Sequence, residues 1–174
     1  MRKLIVAACL LGLFAVSAFA AENGDVPKTE VFGGYQYSHL SGGINANGWD
    51  VAVNGNFNNY FGITGDLGAA YDNQNGVSFH NYTYTFGPVL SLRAHKLYTP
   101  FVHALIGGDH ASASIPGFSS SSNGFALMGG GGVDFNINRY MSFRATQADW
   151  MMLHSSGTTS GKNLRILTGL VVRY

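Results

Sequence analysis

The sequence predicts an all-β fold, an eight-stranded antiparallel up-and-down transmembrane β-barrel. Three observations predict it. Apolar and polar residues alternate with period two through most of the chain, and no stretch sets apolar residues at i, i+3, i+4 and i+7. Charged residues make up only 11% of the chain while aromatic residues reach 13% and glycines number 24. An exported chain so poor in charge must hide its apolar surface or give it to lipid. Finally, the apolar face of the strands is the majority face, and the charged residues collect on the other. A soluble carrier barrel turns its apolar side inward around a ligand, whereas a lipid-embedded barrel turns it outward and keeps a polar lumen.

The first element is an expected signal peptide over residues 1–20. Arg2 and Lys3 form a basic start, Leu4 to Phe14 carry no charge, and Ala18-Phe-Ala20 offers a small-x-small cleavage site. The apolar run is shorter than the roughly 20 residues a membrane-spanning helix needs. Cys9, the only cysteine, lies inside this run, so the mature chain holds none and is no disulfide scaffold. Residues 21–174 then form one domain, the barrel. Without Arg2 and Lys3 it carries eight Lys+Arg against nine Asp+Glu, a net charge near −1. No basic patch points to nucleic acid.

Eight candidate strands follow. In 28–40, Val31, Gly33, Tyr35 and Tyr37 alternate with Gly34, Gln36 and Ser38. In 48–54, Trp49, Val51 and Val53 oppose Asp50, Ala52 and Asn54; in 61–72, Phe61, Ile63, Leu67, Ala69 and Tyr71 oppose Gly62, Thr64, Asp66, Gly68 and Asp72. The fourth, 82–93, sets Tyr82, Tyr84, Phe86, Leu90 and Leu92 against Thr83, Thr85, Gly87, Ser91 and Arg93. The fifth, 100–110, is mixed, because Phe101 and Leu105 share a parity with His103 and Asp109. In 125–135, Leu127, Val133 and the two phenylalanines face away from Ala126, Met128 and Asp134. In 140–154 the apolar parity changes near Gln147, as at a β-bulge. The last, 164–174, opposes Leu164, Ile166, Leu170, Val172 and Tyr174 to Arg165, Gly169 and Arg173.

Compact turns are expected at 57–60, 94–98 and 136–139, and looser Gly/Ser/Asn-rich loops at the other end, the longest at 111–124. Long loops opposite short turns fit an up-and-down membrane barrel. Trp49, Tyr35, Tyr37, Tyr71, Tyr82 and Trp150 fall near the loop ends of their strands; Phe57, Tyr60, Phe61, Tyr98, Tyr140 and Tyr174 fall near the turn ends. Two aromatic belts mark two membrane interfaces.

With these features the chain resembles the small eight-stranded outer-membrane β-barrels, a family of outer membrane protein beta-barrel domains similar to the transmembrane domain of OmpA and to OmpX. The resemblance implies the outer membrane of a diderm bacterium and a structural or surface-interaction role in adhesion or envelope integrity. Gly169, Val172 and Tyr174 are similar to the C-terminal signal read by the barrel-assembly machinery after periplasmic chaperones deliver the chain. Leu167 departs from that signal, which usually has a polar residue there. Some barrels of this size are lipid-modifying enzymes, and His154-Ser155-Ser156 is similar to the His-x-Ser of an outer-membrane lipid A deacylase. The carboxylate such a triad requires is missing nearby, since the acids nearest in type, Glu22 and Glu30, are N-terminal. The glycines at 129–132 lack the Lys-Ser/Thr of a phosphate loop.

Two candidate sites remain, and no catalytic residue, cofactor or metal is expected. Asp66, Arg93, Asp134, Arg144, Arg165 and Arg173 share the minority face and are expected to pair in the lumen, because eight strands leave a bore that side chains just fill. His39, His80, His110 and His154 lie at the loop rim, where protonated imidazoles would meet lipopolysaccharide phosphates. The expected protein is a monomer in contact with outer-membrane lipid and lipopolysaccharide. The alternatives are a narrow porin-like channel and a soluble periplasmic, lipocalin-like carrier.

Overall fold

The computed structural model describes residues 26–74, 77–115, 118–155 and 157–174. The expected signal peptide therefore lies outside the described residues. Eight strands follow one another: β1 (Thr29–Leu40), β2 (Ile44–Asn56), β3 (Phe61–Gln74), β4 (Val77–Ser91), β5 (Tyr98–Ile115), β6 (Phe118–Asn136), β7 (Met141–Ser155) and β8 (Thr158–Arg173). Each pairs antiparallel with the next, and β1 pairs with β8 to close the barrel. At the seam, the Tyr174 N–H donates to the Thr29 carbonyl at 2.9 Å and the Thr29 N–H donates back at 3.2 Å. Closure is what lipid demands, since an open edge would leave backbone groups without partners.

Three turns join strands at the end where both termini lie. Two are built alike. Asn58 Oδ1 accepts from the backbone N–H of Tyr60 and Phe61, and Asn138 Oδ1 accepts from Tyr140 and Met141, all at 2.8 Å. An asparagine that caps its own turn in this way can be read from the repeated Asn-x-Tyr pattern. The third connection spans 92–97, so the fourth strand stops at Ser91 and leaves Arg93 at the lumen mouth.

The opposite end differs from the sequence reading. The expected loop at 111–124 is almost entirely strand, because β5 runs to Ile115 and β6 starts at Phe118. The β1–β2 connection there, 41–43, is short as well. Gly42, Gly43 and Gly157 adopt φ of 92°, 81° and 79°, the left-handed values such turns require. Ser, Gly and Asn have weak strand preference, but an antiparallel ladder is held by main-chain bonds and continues through them. The sequence projects from this end as β-ribbon. At about 3.3 Å per residue, the 19 residues of β6 span about 63 Å, against an apolar band about 25 Å tall.

The faces are settled by burial. Tyr35, Trp49, Val51, Leu67, Tyr84, Phe86, Val102, Ile106 and Leu170 are exposed on the outer wall. The lumen instead carries Asp50, Asp66, Asp134, Asp149, Arg144 and Arg165, all buried. The parity change in β7 is a bulge: Val133 pairs with Thr146 while Asp134 pairs with Arg144, so Ala145 is the extra residue.

The mixed strand resolves toward the lumen, where Phe101 and Leu105 are buried beside His103. Leu105 belongs to one of two apolar plugs. One at the hairpin end comprises Leu40, Leu105, Ala126, Met128 and Met151; the other, nearer the turns, comprises Phe32, Ala52, Leu167 and Val171. Arg165 and its aspartates lie between them, and Glu30, Arg93 and Arg173 lie past the second, at the turn end.

Candidate functional site

At the centre of the lumen is Arg165, wholly buried on β8. Its Nη1 donates to Asp50 Oδ2 at 2.9 Å and Asp66 Oδ1 at 2.8 Å, and its Nη2 donates to Asp66 Oδ2 at 3.0 Å and Asp149 Oδ2 at 2.7 Å. Three carboxylates from β2, β3 and β7 thus share one guanidinium. Asp149 also accepts from His103 Nε2 at 2.8 Å and from Gln147 Nε2 at 2.8 Å. Gln147 in turn accepts from Arg144 at 2.7 Å.

Arg144 forms a forked pair with Asp134, at 2.7 and 3.1 Å. Its guanidinium is clamped between the rings of Phe32 and Phe101, 4.5 and 4.2 Å from their centroids. A planar, weakly hydrated cation stacked on two aromatic faces fits a water-poor site. At the turn end, Arg173 donates to Glu30 at 2.7 Å and approaches Asp134 at 4.0 Å, while Arg93 reaches Glu30 at 2.8 Å. The structure therefore brings Asp66, Arg93, Asp134, Arg144, Arg165 and Arg173 into one chain of pairs. Sequence reasoning left out five of its members: Glu30, Asp50, His103, Gln147 and Asp149. Asp50 and His103 already showed the right parity, whereas Gln147 and Asp149 lie past the bulge that reverses it.

The four rim histidines lie on the outer wall toward the hairpin end but do not form one site. His39 donates to Asn45 Oδ1, which also accepts from Tyr37. His110 bonds Asn123 at 2.7 Å, and His154 bonds Thr159 at 2.7 Å. His80 meets the edge of Tyr71 at 5.3 Å. Register places Tyr82 opposite His110 and Ser112 opposite His80, so His80 and His110 are diagonal neighbours; His39 and His154 sit apart on β1 and β7. Of the His-x-Ser pattern, Ser156 lies outside the described residues, and His154 points away from the lumen acids.

In the closing strand, Gly169 faces Gly34 across the seam, and a Cβ on either would collide with the partner backbone. Val172 pairs with Val31 and with Met141, and Tyr174 is exposed at the turn end.

A closed barrel with an apolar outer wall and a charged lumen sealed by apolar plugs is an integral outer-membrane β-barrel. The chain belongs to the outer membrane protein beta-barrel domain family, whose model matches residues 6–168. Among curated proteins none matches the sequence. Solved structures show the same fold. Ail, the attachment invasion locus protein of Yersinia pestis, is 21% identical with a TM-score of 0.60, covering 85% of this chain and 99% of its own. Neisserial surface protein A is 13% identical with a TM-score of 0.69, covering 84% and 96%. OprG of Pseudomonas aeruginosa is 11% identical with a TM-score of 0.60, covering 87% and 99%.

Proposed function

We propose that this barrel acts in surface contact and envelope integrity, not in catalysis. The projecting β5–β6 hairpin carries the reading: it presents a neutral, Ser-rich ribbon beyond the apolar band, while the lumen is filled with its own pairs. In this reading the hairpin end faces the exterior and the turn end the periplasm. Residues 1–20 direct export and are removed, so the protein recovered from the outer membrane should begin at Ala21 by N-terminal sequencing. Its outer-membrane band should shift mobility only after boiling in detergent. A single mobility in the soluble periplasm would overturn the assignment.

The outer-leaflet partner in this reading is lipopolysaccharide. Among the described residues the hairpin half carries one lysine, Lys162, so His39, His80, His110 and His154 supply most of the cationic capacity for phosphates. Ail has been solved with the heparin analogue sucrose octasulfate, a ligand of the same polyanionic class. Binding should strengthen as pH falls from about 7.5 to 5.5, and replacing all four histidines with Gln should flatten that dependence. Unchanged binding in the variant would sink the idea. Gly169, Val172 and Tyr174 mark the strand that the assembly machinery and chaperones would read. Tyr174→Ala should slow insertion in a reconstituted assembly reaction, and an unaltered rate would argue against it.

A further inference from the structure

We propose that the lumen binds one monovalent cation above Gly68, ligated by Gln36 Oε1, Thr83 Oγ1 and the Asp50 carboxylate. The register sets Asp50, Gly68 and Thr83 side by side on β2, β3 and β4, all facing inward, and Gln36 lies diagonal to Asp50 on β1. Gly68 leaves the space between them open. A Cβ there would stand 2.6 Å from Gln36 Oε1, 2.8 Å from Thr83 Oγ1 and 3.0 Å from Asp50 Oδ2. Oxygens from three strands therefore converge over one glycine.

Each of the three residues is more than nine-tenths buried and has an oxygen without a hydrogen-bond partner: Gln36 Oε1, Asp50 Oδ1 and Thr83 Oγ1. Their other polar groups are committed. Gln36 Nε2 donates to Ser38 at 3.0 Å, and Asp50 Oδ2 accepts from Arg165. Facing acceptors repel unless something positive sits among them, and the single Thr83 hydroxyl can satisfy only one. Asp109, opposite Thr83 on β5, is also buried with Oδ1 unpartnered, but that oxygen lies over Gly124 on β6.

Asp50 is the one carboxylate among the three ligands, which sets a low charge for the ion they would hold. The ligands are all oxygens, which suits a hard ion. With that single carboxylate they fall short of the several that a calcium site uses. A cavity of about 10 Å³ bordered by Gln36, Ser38, Asn81 and Thr83 adjoins the site. That is close to the room one water needs to complete a coordination shell.

The test uses the folded full-length barrel in detergent micelles, with sodium chloride exchanged for choline chloride at fixed pH and ionic strength. Equilibrium dialysis with radioactive sodium should show saturable binding at one site per barrel, and the unfolding temperature should rise with sodium to a plateau. Thr83→Val and Gly68→Ala should each weaken sodium binding about tenfold or more, and Thr83→Ser should retain it. Identical behaviour of the unaltered barrel in sodium and choline would overturn the proposal. So would the absence of sodium binding together with a higher unfolding temperature for Asp50→Asn in choline, because a proton on Asp50 would then supply the positive charge among the oxygens.

Discussion

Arg165 shows how much one residue can hold. Among the described residues it is the guanidinium paired with Asp50, Asp66 and Asp149, all of them buried. Removing one partner of a buried ionic cluster costs about 3–5 kcal/mol, because the remaining charges stay buried without compensation. Arg165→Met should therefore lower the unfolding free energy, read from the urea midpoint for loss of the fast-migrating folded band, by an amount of that order. Arg165→Lys should rescue it only in part, since an ammonium cannot fork to three carboxylates. A midpoint unchanged by Arg165→Met would show that the cluster contributes nothing to stability. Phe32 and Phe101 make a related point: the sequence reading placed neither in a belt and left the fifth strand mixed, and both point inward and clamp Arg144.

At the level of elements, the strands were legible wherever alternation was strong, as in β3 and β4. The hairpin ends were not. Ser112 to Ser114 and Ser119 to Ser122 carry no apolar alternation, so nothing local separates a ribbon from a loop, yet they pair in register from Ala111–Ser122 to Ile115–Phe118. Because this ribbon lies beyond the closed barrel, it should be dispensable for folding. Replacing 112–121 with Asn-Gly, a turn suited to a two-residue hairpin, should leave the heat-dependent mobility shift intact while reducing attachment to surface ligands. Loss of the shift would mean that the ribbon is part of the folding unit. The β7 bulge is the other case: the parity change near Gln147 was visible, but which residue is extra emerged only from the pairing of Val133 and Asp134.

For the whole molecule, the lumen decides between a plug and a pore. Two apolar clusters and two groups of ion pairs joined through Gln147 fill the bore from Leu40 and Met151 to Arg173 and Glu30. An eight-stranded bore is just filled by side chains, so planar bilayer recordings should show little or no steady conductance. A large stable channel would require the Arg165 cluster to open.

The sequence by itself determined the class: the even strand count, the apolar outer face, the two belts, and six of the charges that meet inside. These follow from period-two alternation, which assigns each side chain to a face without reference to its neighbours. Only the tertiary structure decided who pairs with whom. Closure brings Glu30 to Arg173 across 143 positions of sequence, and Arg165 to Asp50 across 115. Such pairings depend on register and on the curvature of the whole barrel, which no local stretch of residues encodes.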